Sequence, residues 1–417
     1  MSVLPKELIE KILFMTNDLP TALELQNDYA ARQIYQAHKE KYTVDWAFKQ
    51  RSTPALKFLI EIGAVVNKAH ADTACENGNL QIVKLLHGRY KDFFDEWSIN
   101  KASGNGHLAI VKFLVSNGVD CTVTAVDNAS ANGHLAIVKF LVEKDKPSTV
   151  LAVDNASANG HLAIVKFLVE KDKAFTVAAV DNASANGYLA IVKFLVEKGG
   201  NCTVAAVDNA SANGYLTIVK FLVEKGKGCT VAAVDSASES GWYEVVKYLV
   251  SKGKPSTVLA VDSASENGHL AIVKYLVEKG KECTVEAVDN ASENGFLAIV
   301  KYLVEKGKDY TVSAMDNASA GGHFEVVEFL DSKGGDCTSA AMDSASANGF
   351  LEIVKFLHAK GKPCTVAAVD NAAINGFYEV VAWLLNNRSE GFSKRVLSRV
   401  NNSIIWDLLD KKKRFGK

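Results

Sequence analysis

No apolar run in this chain approaches the ~20 residues that a membrane-spanning helix requires. Charge of one sign is also lacking: 47 Lys and Arg stand against 48 Asp and Glu, a net charge of −1. The first absence argues against a membrane protein. The second removes the field that would draw the chain to nucleic acid or to an anionic membrane surface. The opening, "MSVLPKELIEKILFMTND", carries charges throughout and no basic leader, so it does not read as a secretion signal. Strand-type alternation is missing from every segment. So are the motifs that carry chemistry. "EKGKGCT" at 224–230 lacks the GxxxxGK[ST] spacing of a phosphate loop, no His/Cys cluster has zinc spacing, and no nucleophile elbow occurs. The sequence therefore calls for no cofactor and no metal, and an enzyme is the least favoured class.

What the chain has is a repeat. A stretch close to "CTVAAVDNASANGHLAIVKFLVEKGK" recurs with a period of 27 residues. Its glycine falls at Gly78, Gly106, Gly133, Gly160, Gly187, Gly214, Gly241, Gly268, Gly295, Gly322, Gly349 and Gly376. A fixed period in this range denotes a solenoid of stacked supersecondary units. Within one unit, Thr122 is placed to cap the helix formed by "VTAVDNASA". Asn132-Gly133 ends it, because glycine tolerates the left-handed conformation of a tight exit. "HLAIVKFLVEK" then forms a second helix, apolar on more than one stripe, as a helix packed on both sides must be. The register extends back to "VDWAFKQRSTPALKFLIEIG" at 44–63, with Asp45 in the aspartate slot and Arg51 in the glycine slot. This predicts an all-α, right-handed solenoid of about thirteen helix–turn–helix units over residues 40–388. Residues 1–39 lie outside the repeat and read as a helical cap. Residues 389–417 read as a degenerate closing helix pair with a basic tail, "KKKRFGK".

Six of the seven cysteines share one slot (Cys121, Cys202, Cys229, Cys283, Cys337, Cys364) that elsewhere holds Ser148, Phe175, Ser256 or Tyr310. A slot that accepts serine and phenylalanine is neither a disulfide position nor a metal ligand. Free thiols fit a reducing compartment, cytoplasmic or nuclear.

The unit resembles the ankyrin repeat. "AVDNASANGHLAIVKFLVEKG" follows the central part of that signature, with Ala129-Ser130 at the paired alanines and Gly133-His134, Ile137-Val138 and Leu141-Val142 aligned beyond. The unit is shorter than the ~33 residues of a standard ankyrin repeat and lacks its "TPLH" element, Asp127 standing in the histidine slot. The resemblance implies an array without the β-hairpin finger and a non-catalytic scaffold that binds a protein on its helical faces. "LPKELIEKIL" at 4–13 resembles the opening of an F-box. That likeness implies an alternative: a ubiquitin-ligase substrate adaptor, with residues 4–38 docking a Skp-type subunit. A third reading is a structural array that pairs with its own kind.

The conspicuous polar positions recur with the fold. An aspartate recurs in the first helix at Asp127, Asp154, Asp181, Asp208, Asp235, Asp262, Asp289, Asp316, Asp343 and Asp370. Copies one helix diameter apart cannot share a metal ion, so the row reads as structural, accepting backbone or hydroxyl donors between units. Lysines of the second helix, such as Lys139, have an acid four positions on and read as a charge-balanced surface. The residue after the glycine (His134, Tyr188, Trp242, Phe296 and so on) reads as packing. Specificity must lie where units differ. Glu239, Glu266 and Glu293 replace alanine in three adjacent units, with Glu286 nearby, and form a candidate acidic patch for a basic partner.

Overall fold

A computed structural model describes residues 6–16 and 18–415, and all regular structure among them is helical. Two compact halves, residues 1–202 and 203–417, make up the chain.

The N-terminal half opens with α1 (Lys6–Thr16), α2 (Leu19–Glu24) and α3 (Asp28–Ala37). They bury Leu13, Leu19, Ala22, Ala30, Ala31 and Ile34, and α2 packs on α5 (Thr53–Glu61), the second helix of the first repeat, which follows α4 (Val44–Lys49). The Tyr35 ring meets Phe58 edge-on at 5.9 Å. Leu4 and Pro5 of the F-box-like stretch lie outside the described residues.

Five more helix pairs follow in this half and seven in the other. Each pair consists of a helix A, such as Val123–Ala131, and a helix B, such as Leu135–Glu143. Helix A starts where the Thr122 hydroxyl accepts the Thr124 N–H. It stops at Gly133, whose φ of +82° suits glycine and few other residues. Helix A supplies Ala125, Val126 and Ala129 to the core, and helix B supplies Ile137, Val138 and Leu141, all essentially inaccessible to solvent. The same positions are buried in every later repeat, down to Ala368, Val369 and Ala372 against Val380, Val381 and Leu384. Successive A helices contact one another far more extensively than successive B helices. The cause is side-chain size, since Ala and Ser on the A faces let backbones approach while Phe and Leu hold the B helices apart.

The C-terminal half runs from Ala205–Ala212 to Tyr378–Asn387. The closing helix pair expected at 392–410 is only half present. Residues 389–402 carry a single 3-10 turn, Val396–Ser398, and the one full helix is Ser403–Phe415. The short segment before it contains Gly391 at φ +71° and buries only Val396, too little apolar surface to hold a helix.

Candidate functional site

The aspartate row is spent on joining repeats. Asp154 Oδ1 accepts the Thr176 N–H at 2.9 Å and Oδ2 accepts the Thr176 hydroxyl at 2.6 Å. That hydroxyl in turn accepts the Ala178 N–H, so one carboxylate fixes the N-cap of the next helix A. Asp127 makes the same link to Thr149. In the C-terminal half, Asp208, Asp235, Asp262, Asp289, Asp316 and Asp343 repeat it with Thr230, Thr257, Thr284, Thr311, Thr338 and Thr365. Asp181 holds the same slot on the helix Val177–Ala185, and Asp370 accepts from the Ser393 N–H instead. Burial pushes the Asp262 carboxyl up from its ordinary range, against the lowering pull of its two bonds from Thr284. Earlier repeats keep the link with other chemistry: Asp45 to His70, Asp72 to the Ser98 hydroxyl, and the Asn100 amide to the Thr122 hydroxyl. Asp72 and Asn100 belong to the row, which the obvious copies alone did not reveal.

A second join lies at the turn. The Asn132 amide donates to the Gly104 carbonyl, and Asn159 to that of Ala131, each reaching back one repeat. The His134 ring covers the glycine of the preceding repeat. A Cβ at Gly106 would lie 2.7 Å from His134 Cε1, so left-handed φ and a crowding ring both require glycine there. Phe and Trp fill the same place at Gly268 and Gly214, which explains why aromatic rings of every kind interchange in that slot.

The lysine row departs from its expected pairing. Spacing predicts an ion pair between Lys139 and Glu143. The Lys139 ammonium instead lies 5.7 Å from the centre of the Phe167 ring, on the next helix B, and Lys112 takes the same position over Phe140. Such contacts at exposed sites contribute about 0.5–1 kcal/mol each. Burial disfavours the thiolate at six cysteines: it pushes Cys121, Cys229 and Cys283 up, Cys337 and Cys364 to about 11, and Cys75 to about 12. Among the described residues no group of His, Cys, Asp or Glu side chains is arranged to hold a metal ion.

What remains is the exposed face of helix A. In the C-terminal half Glu239, Glu266, Glu286 and Glu293 are all solvent-exposed. Glu266 accepts from the Asn290 amide and Glu293 from the Asn317 amide, whereas Glu239 and Glu286 have no side-chain hydrogen bond or ion pair among the described residues. In the N-terminal half the face carries a cavity of about 340 Å³, lined by Glu76, Trp97, Asn100, Lys101, Gly104, Asn105, Thr124, Asn128 and Asn132. Trp97 stands at its rim, 53% exposed. Lys101 pairs with Glu76 at 2.9 Å. Gly104 opens the space, in a slot where neighbouring repeats have Ala131 and Ala158. A Cβ there would meet nothing closer than 3.5 Å, so packing does not demand glycine. Sequence reasoning passed over this site. The available signal was Trp97, a large aromatic at the second helix-A position, where other repeats place residues as small as Thr124 or Ala178.

Comparison with known proteins agrees with this architecture. The family model described as ankyrin repeats (3 copies) matches residues 72–150, 99–179, 128–208, 207–289 and 264–341, together more than half of the 417 residues. The chain belongs to the ankyrin repeat family. Among solved structures, the ankyrin repeat domain of human ASB11 is 18% identical, covering 38% of this chain and 84% of its own, with a TM-score of 0.34. The pentatricopeptide repeat protein PPR10, solved in complex with an 18-nt psaJ RNA element, is 10% identical over 99% of this chain and 77% of its own, with a TM-score of 0.41. No curated protein matches. No helix among the described residues is long and apolar enough to cross a membrane.

Proposed function

We propose that this protein is a non-catalytic scaffold that binds a protein partner on the exposed face of its A helices. The observation that carries the reading is a division of labour. The recurring aspartates, turn asparagines and lysines are consumed in joining repeats, and the residues that break the period stand exposed on helix A. Trp97, Leu151, Leu259 and Glu286 share one repeat slot at the start of helix A, two residues after Asp95, Thr149, Thr257 and Thr284, and all are exposed. Binding energy at interfaces concentrates in large aromatic anchors, and Trp97 is the one this face presents in the N-terminal half. A photo-crosslinking residue placed singly at Trp97, Leu151 or Leu259 of the full chain should capture the partner in cells, and one at Lys139 on helix B should not. Equal capture at Lys139 would count against the helix-A face.

A second reading, a ubiquitin-ligase adaptor, has one observation in its favour. Phe14, Met15, Leu25 and Tyr29 are exposed on α1–α3, with Phe14 and Tyr29 edge-on at 6.3 Å. An apolar surface of this kind is a docking feature. The family match begins only at residue 72 and lends this reading no support. Purified Skp-type subunit should then bind the full chain and lose affinity on Met15→Glu. Failure of the unaltered chain to bind it removes the adaptor reading.

A further inference from the structure

We infer that the helix-A face of the N-terminal half binds its partner as an extended, uncharged polypeptide strand, clamped through its main chain by Asn128, Asn155 and Asn182 and anchored by one large side chain at the Trp97 cavity. The inference rests on the reading that this face binds protein.

Three observations converge. First, Asn128, Asn155 and Asn182 occupy the same helix-A slot in consecutive repeats, immediately after the buried aspartate. They are exposed or half-buried, and no hydrogen bond ties their side-chain amides to any described residue. The contrast is internal, because the equivalent Asn290 and Asn317 are engaged by Glu266 and Glu293. A free carboxamide offers one acceptor and two donors, the complement of a peptide group. Second, the spacing fits. Packed helices lie about 8–10 Å apart, and an extended chain advances about 3.3 Å per residue. Successive amides therefore meet every third residue of a strand laid across the repeats. Small half-buried residues beside the row, Ala131, Ala158 and Ala185, leave room for a backbone to lie close. Third, the row ends at the Trp97 cavity. Its volume of about 340 Å³ is at the small end for ligand sites, ~300–1,000 Å³, and suits one large side chain.

Charge selects the occupant. Lys101 is neutralised by Glu76, and Asp127 and Asp154 are buried in their threonine links. The face offers no run of cations to track phosphates, which a single-stranded nucleic acid would need. The exposed acid adjoining Trp97, Glu96, stands alone and forms no row that would select a basic peptide.

The test uses the full chain panned against a random linear 12-residue peptide library. Enriched peptides should share one aromatic or branched apolar position and carry little charge. Their affinity should fall about 3- to 10-fold for Asn155→Ala or Asn182→Ala, the loss of a neutral hydrogen bond, and about 30-fold for Trp97→Ala. N-methylation of the peptide at every third residue should also weaken binding, and Gly104→Ala should do so more modestly, by adding one methyl to the cavity wall. These side chains are exposed or half-buried without partners, Gly104 is unstrained, and alanine favours helix at each site, so melting temperatures should not fall, which separates binding from folding. Enriched peptides insensitive to all four substitutions would overturn the strand site while leaving the scaffold reading intact. No enrichment would overturn it as well. Tighter binding of a mixed-sequence 12-mer RNA, lost on Trp97→Ala, would overturn it in favour of a nucleic-acid groove.

Discussion

At the scale of single residues, the chain tolerates strain where a repeat departs from the consensus. Arg51 holds the left-handed φ, +52°, that glycine supplies in other repeats. An L-residue there costs about 1–2 kcal/mol, so Arg51→Gly should raise stability by about 1 kcal/mol in a urea titration. The thiols give a second residue-scale prediction. Burial holds Cys337 and Cys364 near 11 and Cys75 near 12, so alkylation at pH 7.5 should be slow and should accelerate as pH approaches those values. The native state also keeps these protons while unfolded thiols lose theirs near 9. Stability should therefore fall as pH rises from about 9 through 11.

Individual elements are held by their neighbours. From Thr149 onward the threonine that caps a helix A is held by the aspartate of the repeat before it, so removing one carboxylate should loosen the following helix. Asp154→Ala leaves the Thr176 N–H and hydroxyl without their acceptor at a site where Asp154 is only 4% exposed. The expected cost is about 2–3 kcal/mol. Hydrogen exchange should quicken first in Val177–Ala185, ahead of Leu162–Glu170. At this scale much was legible in sequence. Thr122, the Asn-Gly exit and the apolar pattern of "LAIVKFLV" each encode a local event, and local events can be read from spacing. Contacts across repeats could not be. The lysine row looked like an i,i+4 charge ladder because spacing alone ranks residues on the same helix. Phe167, which Lys139 actually covers, sits on the next helix B. Trp97 was missed for a related reason: its exposure and the gap left by Gly104 exist only once two A helices are packed side by side. The final stretch, 392–402, misled because its composition suits a helix but its burial does not.

Across the whole molecule, the repeats add stability by nearest-neighbour terms. Deleting residues 150–176, one full period, removes Asp154 with Thr176 and leaves Thr149, still linked to Asp127, to cap Val177–Ala185 in register. The shortened chain should still melt cooperatively, with the loss of about one repeat's stability. Deleting 13 residues from the same place breaks the register and should abolish the cooperative melt followed by circular dichroism. Function at this scale depends on which faces the repeats leave unused, and that is the central claim. Hydrogen exchange of the full chain, with and without a saturating peptide from the library selection, tests it most directly. Slowed exchange is expected only in the A helices Glu96–Gly104, Val123–Ala131, Leu151–Ala158 and Val177–Ala185. Protection centred on the B helices, such as Leu135–Glu143 and Leu162–Glu170, would contradict it.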